Sequence, residues 1–368
     1  MPLYEREDGC RAWLTHARNQ PAQLTHLMEE FQSAEAVYDQ TRRDGGKMLR
    51  EYLAPANVRR LVAAAAPENM HSMMTSMRDC KMQVVSFLDP EYPPALAVID
   101  NAPPFLLTIG DNACMHQRCL TVVGSRKASP RALADCQHIC RQLSEHGVTI
   151  VSGLAVGMDT AAHEGSLQGP TPGIGVMACG LDVDYPTASH DLKKELLDHG
   201  GLLISECPPG TRVIAGAFNL RNRILSGLSK GVVVIECQIK SGTMTTVGFA
   251  LDQGREVFAR PGDPGSEYSE GTRSLLRDGA RFFQMTEDLL EDLGWDDEII
   301  QSPKEPSTKV PMTPAMQAIL RSLHTGIKGF DELVSETGLD AGSLSISLTM
   351  MQISGVINAL PGKTYSII

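Results

Sequence analysis

Three short segments of this 368-residue chain carry residue types suited to holding an anion. Gly124-Ser125-Arg126 offers a glycine for close backbone approach, a hydroxyl, and a guanidinium that can grip a phosphate through two parallel hydrogen bonds. Ser152-Gly153 repeats the small hydroxyl and bare backbone. Lys240 precedes Ser241-Gly242-Thr243, which opens a predicted helix, where free N–H groups and the positive end of the dipole favour an anion. Any one of these is ordinary turn geometry; the weight lies in three falling at the ends of strands. Arg221-Asn222-Arg223 adds two cations that cannot share one helical face. At a helix start they can diverge to hold successive phosphates; a solvated surface pair is the equal alternative.

Other patterns suggest catalysis more weakly. Asp159 and His163 stand four apart, as an acid/base pair would, but no nucleophile elbow or metal spacing accompanies them. Asp159 reads more simply as the helix cap, with His163 packed nearby. Glu206 and Glu236 end predicted strands; paired carboxylates can cleave a glycosidic bond, or they can satisfy buried donors and orient the arginines. Gly173-Ile-Gly175-Val-Met-Ala178 spells a dinucleotide fingerprint, yet it lies within a strand with no helix behind it. A phosphate-binding loop of the G-x-x-x-x-G-K-[S/T] type is absent. The nine cysteines form no C-x-x-C and read as free thiols in the core, so neither a metal nor a cofactor is expected.

The elements that must position these residues follow from hydrophobic pattern. From Leu120, β-branched apolar runs ending in Gly or Ser alternate with helical stretches: 120–123, 148–151, 175–178, 202–205, 232–236 and 256–259. Such alternation implies right-handed βαβ units and a parallel sheet, with ligands outside the carboxyl ends of the strands. Residues up to about Met82 show helical stripes such as Leu24, Leu27, Met28 and Phe31. A proline-dense stretch from Phe87 to Phe105 reads as a linker or strap. Beyond an acidic segment, three short helices and a turn-rich tail suggest a winged helix.

Charge bounds the partners. The net charge is −11, but residues 285–309 alone contribute −6, and residues 118–283 balance 17 bases against 17 acids. A nucleic-acid site must therefore be a local patch. Aromatics are 5% of the chain, which argues against a surface built mainly on stacked rings. No membrane span or signal peptide is evident, and a cytoplasmic protein is expected.

In this order the motifs resemble the DNA-processing A family (DprA/Smf). The matching stretches are Tyr92-Pro-Pro-Ala-Leu, Val123-Gly-Ser-Arg-Lys-Ala-Ser129, Val151-Ser-Gly-Leu-Ala-Val-Gly-Met-Asp-Thr-Ala-Ala-His163, Gly180-Leu-Asp-Val-Asp-Tyr-Pro186, Leu203-Ile-Ser-Glu206, Phe218-Asn-Leu-Arg-Asn-Arg223, Ser241-Gly-Thr-Met-Thr-Thr246 and Arg260-Pro-Gly262. The resemblance implies an α/β fold, with a Rossmann-like parallel-sheet core (83–293) between an N-terminal helical, SAM/HhH-like domain (1–82) and, past an acidic linker (294–310), a winged-helix-like domain (311–368). It implies a homodimeric, non-enzymatic protein that binds single-stranded DNA, protects it in natural transformation and helps load the recombinase RecA. The family's phosphate grips map onto Gly124, Ser125 and Arg126, onto Arg221, Asn222 and Arg223, and onto Ser241 and Gly242. Two departures stand out: Val156 where many relatives carry a basic residue, and Asn219 where proline is usual. The last predicted helix, from Ser343, contains no Lys or Arg, which favours a protein-contact or packing role over duplex reading. The competing readings are a hydrolase of nucleoside monophosphates using Glu206 or Glu236, and a winged-helix regulator, which the unbasic C-terminus disfavours.

Overall fold

The computed structural model describes residues 3–17, 21–214, 216–262, 265–295, 313–323, 328–353, 357–360 and 364–367. Nine strands form one sheet: β1 (Gln83–Ser86), β2 (Phe105–Gly110), β3 (Arg118–Val123), β4 (Val148–Ser152), β5 (Ile174–Val176), β6 (Leu202–Ser205), β7 (Gly231–Val234), β8 (Glu256–Ala259) and β9 (Arg281–Phe282). The spatial order is β1-β2-β6-β5-β4-β3-β7-β8-β9. The seven strands from β6 to β9 run parallel, while β1 and β2 add antiparallel pairings at one edge. Central strands are buried on both faces, as their mostly apolar, Val/Ile/Leu-rich sequences require.

The stretch read as a strap is thus partly sheet. Phe105 to Gly110 are hydrophobic enough to join the edge, and the prolines between β1 and β2 are tied back by Phe87 N–H to the Pro104 carbonyl (2.8 Å) and Tyr92 O–H to the Pro103 carbonyl (2.6 Å). Proline density predicts extended backbone but is silent on pairing.

Helices Pro130–Glu145 and Met158–Ser166 cover one face of the sheet, and Ala217–Leu228 and Gly242–Asp252 the other. The N-terminal helices enclose fully buried Trp13, whose indole N–H donates to the Leu61 carbonyl (2.9 Å). Their core is continuous with Phe105, Met177, Leu181 and Leu203, so helices and sheet form one compact unit, Met1–Ile300. A second unit holds helices Pro314–Leu323, Phe330–Thr337 and Ala341–Ile353 with a three-stranded sheet of β10 (Lys328–Gly329), β11 (Ile357–Leu360) and β12 (Thr364–Ile367). That is a winged helix. Beyond Trp295, the acidic linker lies outside the described residues.

Candidate nucleic-acid interface

The sheet reverses direction of winding between β3 and β7. At such a switch point the loops diverge and leave a crevice at the carboxyl ends of the strands. Gly124-Ser125-Arg126 follows β3, Ser152-Gly153 ends β4, and Ser241-Gly242 follows β7, so the three turns come from adjacent strands at one rim.

Their roles differ. Arg126 is exposed, and its guanidinium lies 4.9 Å above the centre of the Phe218 ring. Phe218 in turn sits 6.0 Å from Tyr185, itself 39% exposed, giving a cation and two rings in a row. Together with Val156, Pro186 and Arg221 they line a small pocket of about 60 Å³. Lys127, Lys240 and Gly242 are exposed at the same rim, and no side chain caps the helix that Ser241 opens. Phe218 and Tyr185 stand inside the motifs quoted above.

Several of the expected contacts are instead the frame. A Cβ on Gly124 would meet the Met158 side chain at 2.6 Å and the Glu236 carbonyl at 2.9 Å, so this glycine serves packing rather than ligand approach. Ser152 is fully buried and donates to the Val122 carbonyl (2.7 Å). Thr243 and Asn222 are buried, Asn222 donating to the Gly242 carbonyl at 3.4 Å. Arg223 spends its guanidinium on Glu206 in a two-pronged pair (3.0 and 2.6 Å), on the Asn101 carbonyl (2.8 Å) and on the Leu220 carbonyl (2.9 Å). Every bond of the Arg223 guanidinium is thus to protein. Arg221 is equally buried, bonded to the Val176 carbonyl, and contributes to the lining of the pocket.

Beneath the rim lies a buried polar cluster. A Cβ on Gly153 would fall 2.3 Å from the Asp159 carboxylate and 2.8 Å from the Arg221 guanidinium, so only glycine lets the chain pass. Burial pushes the Asp159 carboxyl up from its usual range, with Arg221 opposing the shift. Burial also pulls His163 down to about 4. Neutral His163 donates through Nε2 to the Gly153 carbonyl (2.9 Å), while Asp159 accepts from the Ala155 N–H (3.4 Å). Asp159 is not the cap it was expected to be: Gly157 holds that position, and the carboxylate folds back on the loop.

The carboxylates proposed for hydrolysis are equally occupied. Glu206 holds Arg223, and Glu236 accepts from the Ser129 N–H (2.7 Å) and hydroxyl (2.9 Å) at the start of the helix from Pro130. Asp159 and His163 face separate backbone groups rather than each other. Among the described residues no group of three metal-ligating side chains gathers, and no disulfide joins the cysteines. The apparent dinucleotide fingerprint lies across β5.

Comparison with known proteins settles the ancestry. Residues 83–294 match the model of the DNA recombination-mediator protein A family, and residues 303–363 match the DprA winged helix domain. The chain belongs to the DprA family. It is 35% identical over 279 residues to Protein Smf of Escherichia coli, covering 74% of each. It is 37% identical over 210 residues to the DNA processing protein DprA of Streptococcus pneumoniae, covering 57% of this chain and 74% of that one. The solved structure of the pneumococcal DprA superposes with a TM-score of 0.63 at 30% identity, over 76% of this chain and 95% of that one. A Helicobacter pylori DNA processing protein A, described for its single-stranded DNA binding mode, superposes at 0.53 with 28% identity, over 59% and 97%. Against this DprA-family frame, no helix among the described residues is long and apolar enough to cross a membrane.

Proposed function

We propose that this chain binds single-stranded DNA along the carboxyl rim of its sheet, as a binding protein rather than an enzyme. The observation that carries the reading is the exposed Arg126 guanidinium stacked on Phe218 at the switch point. Arg126, with Lys127 and Lys240 beside it, takes phosphates; the Ser125 and Ser241-Gly242 turns supply small groups and amides; Phe218 and Tyr185 offer faces for bases. Gly124, Ser152, Gly153, Thr243 and the Arg221-Asn222-Arg223 run hold this surface in shape. Duplex DNA fits less well, since its stacked bases cannot reach the rings.

In the cell this reading makes the protein a cytosolic guard of incoming single strands in natural transformation. It would act as a homodimer and assist loading of RecA. The winged helix, whose helix Ala341–Ile353 exposes Ile346 and Met350 and carries no base, suits protein contact. Electrophoretic shift of single-stranded against duplex oligonucleotide over a salt series tests the core claim. Single strands should bind preferentially, with a log–log salt slope near −0.7 per neutralised phosphate. Equal binding of the duplex, or affinity indifferent to salt, would remove the proposal. Sedimentation tests the dimer, and RecA strand-exchange assays on DNA coated with this protein test loading.

A further inference from the structure

We propose that the N-terminal helical region carries a second phosphate-contact face, on which a bound strand continues beyond the rim. The proposal rests on the single-strand reading and extends it to a part of the chain that reading leaves without a role. Although the protein carries a net charge of −11, residues 42–60 hold six bases against two acids. Arg42, Arg43, Lys47, Arg50 and Arg59 are all exposed, and among the described residues none of the five forms an ion pair.

The local fold draws them together. Helix Ala34–Asp44 ends in Gly45 and Gly46, both with positive φ, and the turn leads at once into the short 3-10 helix Met48–Glu51. A Cβ on Gly46 would lie 2.5 Å from Val62 and 3.1 Å from Val58, so the turn packs directly on helix Pro55–Ala64 next to Arg59. The Asp44 carboxylate accepts from the N–H groups of Gly46 (2.7 Å), Lys47 (3.1 Å) and Met48 (3.1 Å). The turn's own anion-binding amides are thus already filled, and the outward cations are what remain for a ligand. Among neighbouring acids, Glu35 and Asp39 hold Arg6 and Glu30 accepts from the Tyr52 hydroxyl, while exposed Glu51 remains the one acid beside Arg50 in the face.

Arg42 and Arg43 also suit the negative end of their helix dipole. That explains two of five. Four of the five are arginines, the side chain fitted to phosphate forks. All the large apolar side chains exposed among the described residues lie at Leu88 or beyond, so this face lacks the apolar anchor of a protein interface and has what a phosphate backbone needs. The face belongs to the same compact unit as the rim. Ser76 donates to Asp182 (2.7 Å), and Thr15 and Leu24 share with Cys207 and exposed Arg212 a cleft of about 530 Å³, so helices of this region border the loops after β5 and β6.

The test compares the full chain with R42Q/R43Q/K47Q/R50Q on oligo-dT of about 10 and about 40 nucleotides, the shorter matching a single site. We expect the short oligonucleotide to bind unchanged. The long one should weaken at least about tenfold at low salt, with its slope reduced by about 2–3, which is 0.7 for each of four lost contacts. R42K/R43K/R50K should keep the long-oligonucleotide advantage, which separates charge from packing. Should the quadruple variant lose its fold, K47Q/R50Q, off the helix, should still reduce the slope by about 1. Long-oligonucleotide affinity equal to that of the parent, or loss at both lengths, overturns the proposal. So does displacement by poly-glutamate without any length effect, which would mark the face as one for an acidic protein. R126A, by contrast, must weaken both lengths. If it weakens neither, the rim reading fails, and the Gln variants are then judged on their own length dependence.

Discussion

Replacing Arg126 with alanine isolates the contact on which the functional reading stands. The side chain is exposed, lies over the Phe218 ring, and acts with opposite signs on Asp159 and Arg221 beneath, so the substitution removes a solvated charge and a cation–π contact. Such a contact at an exposed site contributes about 0.5–1 kcal/mol, and the fold should lose no more than that. A charge-assisted hydrogen bond to phosphate contributes about 1.5–3 kcal/mol, which corresponds to a Kd weaker by roughly 10- to 100-fold. The salt slope should also flatten by about 0.7. Fluorescence anisotropy with labelled oligo-dT at several salt concentrations measures both, and thermal unfolding measures the rest. Arg223→Ala provides the contrast. It strands Glu206, whose side chain is 19% exposed, without its partner, at a cost of about 2–4 kcal/mol after discounting a fully buried pair for partial solvation. That should lower Tm by roughly 5–10 °C. If Arg126→Ala leaves affinity and slope untouched, or if Arg223→Ala flattens the slope while leaving Tm unchanged, the division between contact and frame is wrong.

Three further outcomes follow from the same geometry. Val156→Lys, at a 46% exposed position on the pocket wall, should tighten single-strand binding and steepen the slope by about 0.7, read by the same anisotropy series. Gly153→Ala should destabilise by about 1–3 kcal/mol in urea unfolding, because Asp159 and Arg221 leave no room for a methyl group; unchanged stability would show that the cluster is looser than described. The fold should also weaken in mild acid through His163. Its folded pKa, about 4, lies below the 6.5 of an ordinary imidazole, so this contribution is complete above pH 6.5 and is lost as pH falls towards 4, by about 3 kcal/mol in all. Asp159, raised by burial, acts with the opposite sign, so the His163 part is read by comparison with His163→Gln, whose stability should decline less over that window.

The parallel core was legible because its signal is local. Val148–Val151 and Leu202–Ser205 are too apolar and too short for anything but buried strands, and each ends in residues that mark a turn. β1, β2 and β9 were not legible in this way. They pair at the edges, and β9 is a two-residue strand whose side chains are exposed, so no hydrophobic pattern announces it. The site divides similarly. Residue type and order indicate that Arg126, Arg221 and Arg223 gather at one rim, but composition cannot tell an arginine that faces solvent from one that faces Glu206. That distinction depends on where the helix Ala217–Leu228 points relative to β6, a long-range relation set by packing.

The same relation explains why buried charge sits so near a surface meant for a polyanion. A rim that must hold an extended, mobile strand gains from fixed geometry, since ordering the site before binding lowers the entropy lost on association. Hydrophobic packing, through buried Leu154, Ile235 and Cys237, sets only part of the loops after β4 and β7, and polar bonds fix neighbouring backbone. Asp159 and His163 bond the loop after β4, Arg221 bonds the end of β5, and the Glu206–Arg223 pair ties the end of β6 to the Asn101 carbonyl. Buried ion pairs add little net stability when compared with apolar residues of the same volume. Their presence here is better explained by position: they hold Arg126 and Phe218 facing outward while keeping their own charges away from the strand.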